Sequence, residues 1–190
     1  MRKIIVAMHT TLDSFVAGQN GEMNWIKLDE ALFDFVGTLT KEADTALYGR
    51  VTYEMMNGYW PTAGQKANAS KHDIEHSNWY NQSLKVILSK TLDNKGLEKT
   101  LIIGNNLTEN INKLKQQDGR NILIFGSASA THSLFNEGLI DELWLFVNPV
   151  VIGQGLPMFK GLNHVTNLTF VESKQFLSGV VGLHYSKKIV

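Results

Sequence analysis

The sequence predicts a three-layer α/β sandwich. Its central sheet is mostly parallel, with helices on both faces and an antiparallel C-terminal edge. Three observations predict it. Short apolar, β-branched runs recur along the 190 residues. Helix-periodic stretches fall between most of them. The last two runs have no helical pattern between them, and they alternate as strands wet on one face do.

The first strand is Lys3–Met8. Met1-Arg2-Lys3 ahead of Ile4–Met8 resembles the start of a signal peptide. The apolar run is too short for that, and no small-residue cleavage site follows. Further strands are expected at Thr45–Tyr48, Lys85–Leu88, Leu101–Ile103, Asn121–Phe125, Glu142–Val147, Leu168–Glu172 and Val180–Tyr185. Leu32, Phe35, Val36 and Leu39 keep the i, i+3, i+4, i+7 spacing of one helix face. Leu107, Ile111 and Leu114 do the same, with Asn106 as N-cap and Gly119 as stop. A third helix spans Ser127 to Glu137, and a short fourth spans Val51 to Met56. Pro61 to Ser83 is polar and irregular, apart from a helical stretch near Ile74 to Tyr80. A connection this long is either a functional lid or a solvated insertion.

Composition narrows the function. Hydrophobic residues make up 43%, enough for a substantial core in one domain over residues 1–190. Lys+Arg and Asp+Glu are both 18, so no basic excess exists to meet nucleic acid or an anionic membrane. There is no cysteine, which excludes disulfides, thiolate zinc sites and cysteine nucleophiles and fits a cytoplasmic protein. His9, His132, His164 and His184 keep no metal-ligand spacing, and no metal site is expected. The apolar stretch Leu143 to Ile152 is broken by Asn148-Pro149 and is no membrane span.

Three strand ends carry phosphate-suited chemistry. Asn121 to Phe125 runs into Gly126-Ser127-Ala128 and a helix, whose free N–H groups and dipole favour a phosphate. Leu47-Tyr48 ends in Gly49, with Arg50 and Thr52 in the next helix's first turn. A cation is unfavourable at a helix N-terminus unless it has an anion to hold, and a guanidinium suits phosphate. Val86 to Leu88 delivers Ser89, Lys90 and Thr91, hydroxyls and a cation suited to the 2′-phosphate that separates NADP from NAD. In an open α/β sheet such ends gather along one edge, where ligands bind.

Thr11-Leu-Asp-Ser-Phe-Val-Ala-Gly18, Leu47-Tyr-Gly-Arg-Val-Thr-Tyr-Glu54 and Val86-Ile-Leu-Ser-Lys-Thr-Leu92 resemble successive motifs of one family. So do Ile124-Phe-Gly-Ser-Ala128, Gly138-Leu-Ile-Asp-Glu-Leu143 and Asn148-Pro-Val-Val-Ile-Gly-Gln-Gly155 with Phe159. The chain resembles the dihydrofolate reductase-like family, in the branch similar to the C-terminal reductase domain of the bifunctional riboflavin-biosynthesis deaminase/reductase. The motifs keep family order over nearly the whole chain, Pro61 to Ser83 excepted. The resemblance implies an eight-stranded, mainly parallel sheet and NADPH lying across its strand ends. It places the cofactor on Ala7, Gly49, Arg50, Thr52, Ser89, Lys90, Gly126, Ser127 and Ala128. The Ala7 to Trp25 loop would close over nicotinamide and substrate, with Trp25 at the base of the substrate pocket. Hydride transfer to a pteridine or a ribosylamino-pyrimidine, in a homodimer, is the implied activity. The cysteine count leaves no zinc site for a deaminase part.

Two departures stand out. The family has glycine where this chain has Ser14, which is strained if the position needs positive φ. No motif fixes the proton donor. Asp29, at the edge of the first helix's apolar face, is the preferred catalytic residue and substrate anchor, against the reading of a plain N-cap. Asp13 is the second choice, against a plain loop turn. The rival to a reductase is a nucleotide-binding domain that keeps the groove without catalysis.

Overall fold

The computed structural model describes residues 1–93 and 96–188. The chain order begins β1 (Ile4–Thr10), β2 (Phe15–Ala17), α1 (Glu30–Lys41), β3 (Ala43–Gly49), α2 (Arg50–Ala63) and α3 (Lys71–Gln82). It continues with β4 (Leu84–Leu88), β5 (Thr100–Ile103), α4 (Leu107–Gln116), β6 (Asn121–Phe125) and α5 (Ala128–Asn136). It ends with β7 (Glu142–Val147), β8 (Leu156–Pro157), β9 (Leu168–Gln175) and β10 (Val181–Lys187).

An eight-stranded sheet has the order β5-β4-β3-β6-β1-β7-β10-β9. Its first six strands run parallel, and β10 is antiparallel to both β7 and β9. The expected α/β sandwich with an antiparallel C-terminal edge is therefore present. β1 alternates between two cores, as strand geometry dictates. Ile4, Val6 and Met8 face α4 and α5, where Ile111, Leu114, Leu134 and Phe135 are buried. Ile5 and Ala7 face α1 and α3, with Leu32, Val36, Trp79 and Tyr80. Among the described residues, no helix is long and apolar enough to cross a membrane.

The stretch from Pro61 to Ser83 is not an irregular connection. The expected short helix at Val51 to Met56 extends over Arg50–Ala63 with Pro61 inside it, and α3 follows after a short turn. Two devices hold α3 despite its polar sequence. Ser70 and Asp73 form a reciprocal capping box at its start. At its end, Lys85 Nζ donates to the Tyr80 and Ser83 carbonyls, both at 3.0 Å. Its inner face buries His76, Ser77, Trp79 and Tyr80, and Ser77 Oγ donates to the Trp60 carbonyl of α2 at 2.7 Å. Asn106 does occupy the N-cap position of α4, but its side chain makes no cap bond there. The apolar strand at Leu143–Val147 lies between β1 and β10, inside the sheet. It is no free surface for a second copy. The exposed edge is β9, whose residues are all exposed.

Candidate functional site

The C-terminal ends of β3 and β6 are neighbours, and a side chain bonds the turns that leave them. The Gly49 N–H donates to Ser127 Oγ at 2.7 Å. Gly49 admits this approach because a Cβ there would lie 2.8 Å from Ser127 Oγ and 3.2 Å from Ser129 Oγ. Gly126 and Ser127 both adopt positive φ, 72° and 71°. Glycine tolerates that, whereas serine is strained by about 1–2 kcal/mol. Because its hydroxyl serves Gly49, Ser127 does not cap its own helix. α5 and α2 both begin without a side-chain cap. The positive ends of their dipoles thus carry no capping side chain.

Around this pair, a Cβ on Gly126 would sit 3.5 Å from Thr52 Cγ2, and Ala128 is buried as the first residue of α5. Arg50 is exposed and pairs with Glu54 at 2.8 Å, one turn along α2. Such a surface pair is worth little, so Arg50 is free to turn to another anion. Ser89, after β4, accepts from the Thr91 and Leu92 N–H groups at 3.2 and 3.0 Å. Its hydroxyl thus shapes the turn that presents exposed Lys90. Ala7 lies deeper, buried in β1 between Phe125 and Trp144.

The carboxylates are placed differently. Asp29 is the N-cap of α1: Oδ1 accepts from Leu32 N–H at 2.8 Å, and Oδ2 from Ser178 N–H at 2.7 Å. Desolvation raises its pKa, but the hydrogen bonds from Ser178 and Leu32 outweigh it and hold the carboxyl below its usual range. Asp13 accepts from Gly153 N–H at 2.7 Å and ties the first loop to the segment after β7. The Thr11 hydroxyl and the Gly153 and Ile152 amides hold its pKa down against desolvation. At neutral pH both are acceptors, not acids. Ser14 has φ 65°, so the strain expected from the missing glycine is present.

Asp29 also lines a cavity of about 270 Å³ between α1 and α3. Glu30, Phe33 and Asp34 join it from α1, and Ser70, Lys71, His72 and Glu75 from the start of α3. Phe33 and His72 stack at 4.1 Å and 20°. Behind them a file of rings leads inward. His72 lies 5.3 Å from His76, and His76 lies 4.0 Å from Trp60 and 5.4 Å from Phe125, the residue before Gly126. Neither His76 ring nitrogen has a hydrogen-bond partner in this structure. Burial, together with the charge of His72, lowers its pKa to about 3. Trp25 is half-buried in the first loop, its Nε1 donating to the Glu22 carbonyl at 3.2 Å.

Sequence reasoning does not single out this ring file or the structural role of Asn148. Asn148 is fully buried. Its Nδ2 donates to the Thr10 and Phe146 carbonyls at 3.2 and 3.0 Å, and its Oδ1 accepts from Lys27 N–H at 2.8 Å. It pins the first loop against β1 and β7. The one available signal was Asn148-Pro149 directly after an apolar strand.

The fold is an α/β sandwich whose adjacent parallel strand ends carry glycine turns and helix starts without a side-chain cap. More particularly, the model of the RibD C-terminal domain matches residues 2–182, and the chain belongs to that family. YyaP of Bacillus subtilis strain 168, an uncharacterized protein, is 34% identical over 188 residues, spanning 97% of this chain and 94% of YyaP. A putative riboflavin biosynthesis protein from Shewanella sp. PV-4 shares the fold with a TM-score of 0.74 at 22% identity, over 98% of this chain and 99% of that one. A diaminohydroxyphosphoribosylaminopyrimidine deaminase/5-amino-6-(5-phosphoribosylamino)uracil reductase from Thermotoga maritima matches with a TM-score of 0.68 at 12% identity. That match covers 98% of this chain and 57% of the other.

Proposed function

We propose that the chain is an NADPH-dependent reductase, delivering hydride to a flat heterocycle of the pteridine or ribosylamino-pyrimidine type. The observation that carries this reading is the Gly49 N–H to Ser127 Oγ bond between two uncapped helix starts. It holds the two turns side by side, an approach that a Cβ at Gly49 would obstruct. When bound, the cofactor supplies the hydride; the protein supplies position and a pocket. The starts of α2 and α5 would hold the pyrophosphate, with Gly126, Ser127, Ala128 and Thr52 lining it. Arg50, Ser89 and Lys90 would take the 2′-phosphate. Ala7, with its small side chain, would floor the nicotinamide. Trp25 and Asp29 would orient the heterocycle, Asp29 as acceptor for its N–H groups, while Asp13 sets the loop above it.

Calorimetric titration tests the reading. NADPH should bind at micromolar concentration or below and clearly more tightly than NADH, and Lys90→Ala should narrow that gap. Oxidation of NADPH with pterin and pyrimidine substrates then tests turnover. One observation favours the rival reading, nucleotide binding without catalysis: both Asp13 and Asp29 are held as carboxylates by backbone N–H groups. Tight NADPH binding with no turnover on either substrate class would establish that reading instead. A homodimer, in turn, would form through the exposed edge strand β9 rather than β7. Light scattering that reports a single-chain mass at micromolar concentration would remove it.

A further inference from the structure

We propose that the cavity between α2, the end of α3 and the start of β4 binds a small aromatic monocarboxylate. The proposal is independent of the reductase reading. Lys85, on which it turns, stands near the start of β4, whereas Ser89 and Lys90 follow that strand's end.

The cavity holds about 340 Å³, at the lower end of the range for small-molecule sites. Tyr53, Tyr80 and Lys85 line it, and all three are buried, with 5%, 1% and 7% of their surface exposed. A lysine is almost never this buried without a partner of opposite charge. Here its partners are the backbone carbonyls of Tyr80 and Ser83, each 3.0 Å from Nζ. Among the described residues no carboxylate joins them. Two carbonyls take two of the three ammonium hydrogens and leave the third without a protein acceptor. Burial, and then the charge of Lys99, pulls the Lys85 pKa below its usual value. A bound anion favours the charged form and works against both.

Closing the end of α3 explains the two carbonyl bonds. It does not explain a cavity beside them that a second lysine, Lys99, and Asn57 also line. Lys99 is exposed, and its Nζ reaches the Asn81 carbonyl only at 3.4 Å. Asn57 Oδ1 accepts from the Tyr80 hydroxyl at 3.3 Å, which leaves the amide N–H groups of Asn57 as donors. Lys85, Lys99 and Asn57 match the two oxygens of a carboxylate and fall short of the oxygens of a phosphate. The helix end here is the C-terminus of α3, where the dipole is negative, and not an N-terminus of the kind that holds phosphate. Exposed Glu98, also in the lining, adds a further negative charge. The rings of Tyr53 and Tyr80, with Leu97, give apolar surface for a flat body.

The test is a titration of the whole, isotope-labelled chain with benzoate, benzamide and inorganic phosphate, followed by amide NMR shifts. Benzoate should give saturable shifts centred on Asn57, Asn81 and Leu97. Benzamide, its uncharged counterpart, and phosphate should each bind at least about tenfold more weakly. Lys99→Glu should weaken benzoate binding by about tenfold or more, and Glu98→Gln should tighten it. Both positions are exposed, so the fold should tolerate both changes. Lys85→Met should abolish binding; if that variant does not fold, the two surface variants decide the question.

No shifts at the cavity, benzamide or phosphate binding as tightly as benzoate, or an affinity unmoved by the two charge variants would each overturn the proposal. None of these outcomes bears on the NADPH titration, and a failure of that titration would leave this site standing.

Discussion

Two regions of this molecule treat their helix starts in opposite ways. At the ends of β3 and β6, α2 and α5 begin with no side-chain cap, and Ser127, placed to cap α5, bonds Gly49 instead. At the cleft between α1 and α3, α1 begins with the Asp29 carboxylate on the Leu32 N–H, and α3 with the Ser70 hydroxyl on the Asp73 N–H and the Asp73 carboxylate on the Ser70 N–H. An uncapped start leaves backbone donors open to water or an anion, whereas a capped start contributes about 1 kcal/mol and needs nothing further. The same helix physics thus makes one region anion-seeking and the other self-contained and acidic. This division supports reading the strand ends as the phosphate side and the cleft as the heterocycle side.

The largest test of that division is Gly49→Ala. The new methyl would meet Ser127 Oγ at 2.8 Å. It should break the bond between the turns and cost roughly 1–3 kcal/mol of stability. NADPH affinity should fall by about tenfold or more on the proposed reading. Unchanged NADPH affinity would mean that the joined turns do not hold the cofactor. Denaturant unfolding and calorimetry read the two effects separately.

Acid should act chiefly on the aromatic side. Burial lowers the pKa of His9 to about 4, and that of His76 stands at about 3. An unfolded histidine titrates near 6.5. Between the folded and unfolded values the unfolded chain binds more protons, so stability falls as pH drops. The loss should begin near pH 6.5 and reach roughly 2–3 kcal/mol for each of the two by pH 4.5, read from urea midpoints. His76→Phe should flatten the profile. An unchanged profile would show that His76 is not buried neutral.

Asp29→Ala removes the α1 cap and the tether to Ser178 together. It should destabilise the fold by roughly 2 kcal/mol and leave NADPH affinity unchanged, since Asp29 belongs to the capped region. Asp29→Asn should recover most of the stability. If it also abolished turnover, the carboxylate's charge would be identified as the substrate anchor.

How much of this was legible in the sequence follows from how local each signal is. Strand runs such as Asn121–Phe125 and the heptad-like face of Leu32, Phe35, Val36 and Leu39 carry their pattern in a few residues. α3 did not, because its polar sequence hides a buried face and its start lies close to Pro61. The Ser70–Asp73 pair, a shorter-chain version of the usual capping box, was the local clue. The Gly49–Ser127 bond joins residues 78 apart in the chain. The glycine turns were readable separately; their union needed the β3–β6 pairing. The ring file from Phe33 to Phe125 gathers α1, α2, α3 and β6 and has no sequence signature.

The smallest effect expected concerns the first loop, between β1 and α1. Ser14 sits at φ 65°. Its N–H donates to the Thr11 carbonyl at 3.0 Å, and its carbonyl accepts from Met158 N–H at 2.8 Å. These bonds hold a backbone geometry that suits glycine better than serine. Ser14→Gly would relieve about 1–2 kcal/mol of strain but give back about 0.5–1 kcal/mol in unfolded-chain entropy. The net should be a gain of about 0.5 kcal/mol, seen as a small upward shift in the urea midpoint. A loss instead would mean that the serine side chain stabilises this turn in a way that outweighs its backbone strain. The strain would then be a retained feature of the loop rather than a tolerated departure from the family's glycine.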